Sequence, residues 1–191
     1  MELKVWSKTL LNIYSCLYKL TNEIDKIVLN FALSSGYKNG VNKTYHDTQK
    51  MIELTQRKIT LINLKVLIED CLDKLDLTSC KILTLKYIDR MSGETISNAL
   101  KIKRRTYFRK YQQALNSFSS CLIKCGFDCK KIYNLVKDET WILDVFKTYL
   151  EKENLNSKEP EISNYSIYSL ALRNLKTEKR VVREVYSNVF A

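Results

Sequence analysis

The chain has 191 residues, 45% of them hydrophobic and 28% charged, and it contains one proline and four glycines. This composition excludes a disordered chain, and such a scarcity of helix-breaking residues favours long helices joined at a few points. No segment approaches the roughly 20 consecutive apolar residues that a membrane helix needs, so no membrane partner is expected. Six cysteines without a secretory signal predict a reduced, cytoplasmic protein.

The formal net charge of +11 is concentrated in one part of the chain. Between residues 77 and 131 there are twelve lysines and arginines against three acidic residues, whereas the rest of the sequence has 20 basic and 18 acidic side chains. A basic block inside an otherwise balanced chain indicates a polyanion as the partner.

Two long amphipathic helices are predicted near the N-terminal end, over residues 3–35 and 44–75. Both have apolar side chains at the a and d positions of a heptad, the pattern that buries one stripe of a helix against another. The two seams comprise Leu10, Ile13, Leu17, Leu20, Ile24, Ile27 and Phe31, and then Leu54, Leu61, Leu64, Ile68, Cys71 and Leu75. Because residues 34–42 have a turn composition, we expect an antiparallel helical hairpin. Such a seam serves equally to close the hairpin or to pair it with a second copy, so a homodimer remains an alternative.

The basic segment that follows has the pattern of three shorter helices with tight connections. Ser92 is a suitable N-cap for the second of them, and Glu94 places a carboxylate in its first turn, where the helix dipole favours a negative charge. We expect Ala99 to be the small residue at the closest approach of two steeply crossing helices. The side chains expected to be buried by the first two helices are Ile82, Leu83, Leu85, Tyr87, Ile96, Ala99 and Leu100.

The third helix is predicted to begin near Lys103 and to have two distinct faces. The face directed to the core consists of Tyr107, Tyr111, Ala114, Leu115 and Phe118. On the opposite face, arginine suits guanine edges, glutamine suits adenine and an aromatic ring suits the thymine methyl group, while lysines hold phosphates. A basic face that meets only water is the alternative. The pattern predicts a helix-turn-helix that binds double-stranded DNA through Lys103, Arg104, Arg105, Thr106, Phe108, Arg109, Lys110 and Gln112.

The same segment resembles region 4 of the sigma-70 family. That family has the pattern Leu-x-Leu-x-Tyr, a short helix, Leu-x-Ile, and a recognition helix that starts at threonine and ends in Ala-Leu. The matching residues are Leu83, Leu85, Tyr87, Ser92, Glu94, Ile96, Leu100, Ile102, Thr106, Arg109, Ala114 and Leu115, within about a quarter of the chain. The resemblance implies that the last helix enters the major groove of promoter DNA, with Arg104, Arg105, Phe108, Arg109 and Gln112 as contact residues.

Two residues depart from the family's pattern. Lys101 stands in place of the turn glycine, so it must adopt a left-handed conformation or shift the turn. Lys103 replaces a capping serine, a cap typically worth about 1 kcal/mol. Because residues 1–75 show no sigma region 2, the layout resembles region-4-like regulators of low-GC Gram-positive bacteria and their phages.

The C-terminal third is predicted to be helical as well. Gly126 is the expected C-cap of the preceding helix, and helices are predicted over residues 130–136 and 139–151, with Trp141, Val145 and Tyr149 packing inward. Another helix follows, although the β-branched residues at 181–189 also allow a strand. The predicted segments are 1–75 (helical hairpin), 76–125 (helix-turn-helix), 126–153 (helical extension), 154–163 (linker) and 164–191 (helical tail).

Two chemical signals are set aside. Cys121, Cys125 and Cys129 could supply three thiolates, but a fourth local ligand is missing, so we interpret them as small buried side chains and predict no metal or other cofactor. The acidic pairs Glu69–Asp70 and Asp138–Glu139 do not converge and are interpreted as solvent-exposed charges. With a single histidine and no phosphate-binding loop, no catalytic residue is expected and the chain is not predicted to be an enzyme.

The sequence therefore predicts an all-α, DNA-binding transcription regulator of bacterial or phage origin. One alternative is a sigma factor that binds core RNA polymerase, which makes the polymerase a further candidate partner. The other is a helical interaction protein that does not bind DNA.

Overall fold

The computed structural model describes residues 2–35, 41–155 and 163–187, and every regular element in these ranges is helical. The helices are α1 (Glu2–Ser35), α2 (Val41–Asp73), α3 (Leu77–Leu83), α4 (Gly93–Ala99), α5 (Arg104–Lys124), α6 (Cys129–Val136), α7 (Thr140–Asn154) and α8 (Asn164–Ser187). A π-helical turn, Thr84–Ile88, directly continues α3. The all-α prediction is confirmed, and the strand alternative is wrong up to Ser187, where α8 ends. None of the helices within these ranges is long and apolar enough to cross a membrane.

The first two helices pack against each other in antiparallel orientation. The Tyr14 hydroxyl donates a 2.7 Å hydrogen bond to Glu69 Oε1, and Lys58 Nζ donates to Asp25 Oδ1 at 2.6 Å, so residue numbers rise along α1 as they fall along α2. The predicted seams lie in this contact. Their buried members are Leu10, Ile13, Leu17, Leu20, Ile24, Leu61, Leu64, Ile68 and Cys71, and their outer members Ile27, Phe31, Leu54 and Leu75 are partly buried. Most of the predicted turn at 34–42, and most of the predicted linker at 154–163, lies outside the described residues.

The N-terminal half of α1 is enclosed on all sides, since every residue from 5 to 13 is buried. Trp6 stacks on Phe146 of α7 with ring centroids 4.0 Å apart, and Ser7 Oγ lies 2.8 Å from Ser119 Oγ of α5. Asn12 Nδ2 donates to the Tyr149 hydroxyl of α7 at 2.7 Å. The first half of α1 therefore belongs to the same core as α5 and α7, while the segment boundaries drawn from the sequence stay predictions.

Arg90 connects the segment between α3 and α4 to two distant helices. It follows the π-helical turn with a φ of +57°, in the left-handed region that side chains other than glycine rarely adopt. Its guanidinium donates to the side-chain oxygen of Asn12, to the Asn12 backbone oxygen at 2.8 Å and to the side-chain oxygen of Asn164 on α8. Partial burial lowers the pKa of the Arg90 guanidinium, yet arginine stays charged in proteins, so these amide oxygens are the acceptors of a half-buried cation.

One of the four residues in the two acidic pairs, Glu139, departs from the prediction. Glu139 is buried, accepts two hydrogen bonds from Arg57 at 2.8 and 2.9 Å, and accepts a third from Trp141 Nε1 at 2.8 Å. Glu69 accepts from both Tyr14 and Lys65. The prediction of a solvent-exposed charge is therefore wrong for Glu139, because Arg57 is supplied by packing that the local sequence does not show, whereas Asp70 and Asp138 are exposed and Glu69 is partly exposed.

The last helices pack with one face inward. The predicted Trp141, Val145 and Tyr149 are buried on α7, and Gly126 adopts a positive φ of +84° after the end of α5, as expected of a C-cap. The buried residues of α8 are Ile167, Ala171 and Leu175. Side chains beyond Leu175 are not described.

The Tyr14 to Glu69 hydrogen bond gives the first testable prediction. We expect Tyr14→Phe to lower the free energy of unfolding by about 1 kcal/mol at neutral pH, as measured by urea denaturation. Lys65 and Tyr14 both lower the pKa of Glu69 in the folded chain. Their stabilisation is thus present above the ordinary glutamate pKa of about 4.3 and is lost as the pH falls through the lowered folded value.

The control is Tyr18→Phe, which removes an exposed hydroxyl from the same helix. The difference between wild type and Tyr14→Phe should shrink in acid, whereas Tyr18→Phe should match wild type throughout. A Tyr14→Phe difference that is absent at neutral pH, or that persists unchanged in strong acid, contradicts the assignment.

Candidate nucleic-acid interface

The short helix α4 begins as its sequence predicts. The Ser92 side chain accepts a 3.1 Å hydrogen bond from the backbone N–H of Thr95, which satisfies one of the free donors at the helix start. Glu94 lies in the first turn, where the positive end of the helix dipole favours its carboxylate. The predicted cap and first turn are confirmed.

Residues 100–103 connect α4 to α5 through a left-handed lysine. Lys101 has a φ of +53°, and the Ile102 N–H then donates to the Ser97 carbonyl at 3.0 Å, which closes the end of α4. Of the two options that the sequence left for Lys101, the structure shows the left-handed one. Lys103 occupies the N-cap position of α5 without a side-chain hydrogen bond to the helix. Its ammonium group has no acceptor for a backbone N–H.

The close approach of α4 and α5 occurs at Gly93. A Cβ atom on Gly93 would lie 2.7 Å from Cε1 of Tyr107, closer than real contacts allow. Ala99 is exposed, so the prediction that it occupies the closest approach is wrong. The first turn of α4 meets α5, whereas Ala99 stands at the other end. The buried side chains of α4 are Ile96 and Ser97, with Leu100 partly buried after it.

The inner face of α5 fixes the rotation of the helix about its axis. All five predicted core residues, Tyr107, Tyr111, Ala114, Leu115 and Phe118, are buried. The Tyr87 and Tyr111 hydroxyls are 2.7 Å apart, and the Tyr107 ring stacks on Tyr111 at 6.0 Å between centroids. Because these contacts hold one face of α5 inward, the opposite face must point to solvent.

The outer face of α5 contains the residues that the sequence assigned to DNA binding. Phe108 is half exposed, and the Arg104 guanidinium lies 5.8 Å from its ring centroid, a cation–π contact that orients both groups. Arg104, Arg105 and Arg109 form no ion pair with any described residue. Exposed members of the predicted set are Lys103, Arg104, Arg105, Phe108, Arg109 and Gln112, and partly buried members are Thr106 and Lys110.

Sequence reasoning missed two amides beside this face. Asn116 is exposed one helical turn after Gln112 and two turns after Arg109, and Gln113 is exposed at its side. The helical spacing from Arg109 was sufficient to find Asn116. We define the outer face of α5 from here on as the eight predicted residues together with Gln113 and Asn116.

The cysteines group differently from their spacing in the sequence. Cys71 of α2 lies with Cys121 of α5 and with Cys125, which directly follows α5, and Lys74 Nζ approaches Cys125 Sγ at 3.3 Å. Burial and the neighbouring Cys125 and Cys121 raise the pKa of the Cys71 thiol to about 12, so it is a neutral packing group. Nowhere in the described ranges do three or more histidine, cysteine or acidic side chains group in a way that could hold a metal ion.

A comparison with known families finds one match. Residues 20–119 match the model of a family described as protein of unknown function, DUF1492. The matched residues form just over half of the chain and extend from the middle of α1 into α5, including the outer face of α5. Sigma-70 region 4 gives no match, so that resemblance stays a prediction. No curated protein and no solved structure matches the chain.

Because Lys101 is left-handed, we predict that glycine is more stable than alanine at this position, the reverse of the order inside a helix. We expect Lys101→Gly to be more stable than Lys101→Ala by about 1 kcal/mol, because only glycine adopts a positive φ without a steric cost. Both variants remove the same charge. At the exposed helical control position Gln113, the glycine variant should be the less stable one by about 1 kcal/mol. If urea denaturation gives the same stability order of the glycine and alanine variants at positions 101 and 113, the left-handed conformation of Lys101 is contradicted.

The contact between Gly93 and Tyr107 predicts a substitution that α4 does not tolerate. Gly93→Ala should lower the free energy of unfolding by about 1–3 kcal/mol, because the added methyl group displaces a buried ring. The control, Ala99→Ser, lies at an exposed position of the same helix and should change stability by less than about 0.5 kcal/mol. A Gly93→Ala variant with the same free energy of unfolding as wild type would show that the closest approach of α4 and α5 is not at Gly93.

Proposed function

The chain belongs to the DUF1492 family of proteins of unknown function, and we propose that it is a sequence-specific, DNA-binding transcription regulator. In this proposal α4 and α5 form a helix-turn-helix, and α5 enters the major groove of double-stranded DNA with its outer face. The single observation that supports the proposal is an exposed, cationic face on a helix whose opposite face is anchored in the core.

The shape of the α4–α5 unit fits a groove. A seven-residue helix and a four-residue connection precede a helix of 21 residues, about 30 Å in length. The major groove, about 12 Å wide, admits an α-helix. The first turns of α5, where the arginines lie, are exposed, whereas Ser119 near its C-terminal end contacts Ser7 of α1. The N-terminal half of α5 is therefore the half that can enter DNA.

The chemistry of the outer face fits base reading together with phosphate binding. Arg105 and Arg109, one turn apart, suit the O6 and N7 acceptors of guanine, and Gln112 suits adenine. The Phe108 ring offers an apolar contact for a thymine methyl group. Lys103 and Lys110 stand beside them, where they suit phosphates and fix the register without reading sequence.

The proposal is tested by duplex binding in a salt series. Fluorescence anisotropy with a mixed-sequence duplex should show binding. The logarithm of the association constant should fall linearly with the logarithm of the salt concentration. Arg105→Ala/Arg109→Ala should weaken binding at least about tenfold, because each guanine-reading arginine contributes about 1–3 kcal/mol, whereas the salt slope, which reports phosphate contacts, should change little. Selection from randomised duplexes should then give a preferred sequence for wild type and a weaker preference for the variant.

The matched control is Lys124→Ala/Lys130→Ala, which removes the same charge from exposed positions at the far end of α5 and on α6. This control should retain most of the binding and all of the sequence preference. Equal losses in the two double variants, or no binding at low salt, would reject the proposed interface and favour a protein partner. Transcription initiated by the chain with core RNA polymerase alone would instead identify a sigma factor.

A further inference from the structure

Helix α2 has a second apolar stripe, on the side opposite to α1. Its residues recur at heptad spacing, Tyr45, Ile52, Ile59 and Val66, and Ile62 stands beside them. Their side chains are 40–74% exposed, although the inner seam of the same helix is buried. We call these five residues the outer stripe of α2. At 1.5 Å per residue the outer stripe is about 30 Å long, with an apolar side chain every two turns on the same side of the helix.

Few charged side chains around the outer stripe are fully exposed, and Asp47, Lys50, Arg57, Lys58 and Lys65 are partly buried there. Glu53 is the single charged residue among the exposed residues from 45 to 66, although the whole chain has a net charge of +11. The nearby Lys58 and Lys65 are directed to Asp25 and Glu69 in ion pairs of 2.6 and 2.8 Å. The remaining exposed residues are His46, Thr48, Gln49, Thr55, Gln56 and Asn63. This face lacks the positive charge that attracts a nucleic acid, whereas another surface of equally low charge can pack against it.

A second copy of this chain meets that requirement. The basic surface formed by residues 77–131 repels a second copy, because like charges are brought together. Two outer stripes can approach without that cost. The low charge of this face therefore favours self-association through α2 over the basic surface of residues 77–131.

The spacing of the outer stripe is also self-complementary. Because Tyr45, Ile52, Ile59 and Val66 are equally spaced, reversing the helix about a point between residues 55 and 56 superimposes the stripe on itself. In an antiparallel pair with that centre, Tyr45 faces Val66 of the second copy and Ile52 faces Ile59 of the second copy. Gln49 then lies near Asn63 and Gln56 near Gln56, so amides meet amides along the border. This is the mutual arrangement that a two-fold symmetric interface requires.

We propose that the outer stripe of α2 is a homodimer interface in which two α2 helices pair in antiparallel orientation. The inner seam closes α2 onto α1 within one chain, and the outer stripe joins two chains. This interface lies on α2 and uses none of the outer face of α5, so the proposal stands independently of DNA binding. The outer stripe falls within the residues that match the family model.

The experiment is sedimentation equilibrium of the full chain. Wild type should sediment as a dimer of the 22.4 kDa chain. Ile52→Glu/Ile59→Glu places four carboxylates in the centre of the interface and should give a monomer. Ile52→Glu/Ile59→Lys places each introduced carboxylate opposite an introduced ammonium group of the second copy, and should restore a dimer only in the antiparallel arrangement.

The matched control is Leu29→Glu/Leu33→Glu, which substitutes two equally exposed leucines on α1 and should leave the dimer unchanged. Circular dichroism of each variant should show wild-type helicity, because all the substituted side chains are exposed. A monomeric wild type, or a dimer that survives Ile52→Glu/Ile59→Glu, overturns the proposed interface. An Ile52→Glu/Ile59→Lys variant that remains monomeric overturns the antiparallel arrangement.

Discussion

The half-buried guanidinium of Arg90 joins the segment between α3 and α4 to α1 and α8. It donates hydrogen bonds to the side chain and backbone of Asn12 on α1 and to the side chain of Asn164 on α8. A buried cation is tolerated only where hydrogen-bond acceptors replace its water, so these partners are constrained as strictly as the arginine itself. The same hydrogen bonds explain why an arginine stands at a left-handed position. Glycine there would relieve the backbone strain but would not supply the guanidinium.

This link gives α1 two different tasks along its length. A seam from Leu10 to Phe31 pairs α1 with α2, while residues 5–13 of α1 are also packed against α5 and α7 and include buried polar side chains such as Asn12 and Thr9. The same residues meet α5 at the Ser7 to Ser119 contact. The outer face of α5 is consequently presented by a helix that is held along its inner face and near its C-terminal end. Rigid presentation is what a surface needs if it is to distinguish one base sequence from another.

The two candidate interaction surfaces differ in chemistry and in position. The outer face of α5 is cationic and rich in hydrogen-bond donors, whereas the outer stripe of α2 is apolar and bordered by amides. The first suits a polyanion and the second suits a surface like itself. Both lie within residues 20–119, which match the family model, while α6, α7 and α8 follow the matched region. The C-terminal helices contribute buried residues such as Trp141 to the core that supports α5.

The sequence by itself determined the features that depend on near neighbours in the chain. Heptad spacing predicted the α1 and α2 seams, Ser92 predicted the start of α4, and the two faces of α5 follow from residues three and four positions apart. The left-handed option at Lys101 was implied by the resemblance to sigma-70 region 4, whose pattern has a glycine at this turn.

Only the tertiary structure decided the contacts between distant residues. Glu139 looks like a surface charge until Arg57, 82 residues earlier, is placed beside it. Ala99 looked like the packing residue because the sequence does not show which end of α4 touches α5, and Gly93 was identified by the position of the Tyr107 ring. Local propensity depends on spacing along the chain, whereas the burial of a charge or the approach of two helices depends on which surfaces meet in space. The sequence records that information only through the complete fold.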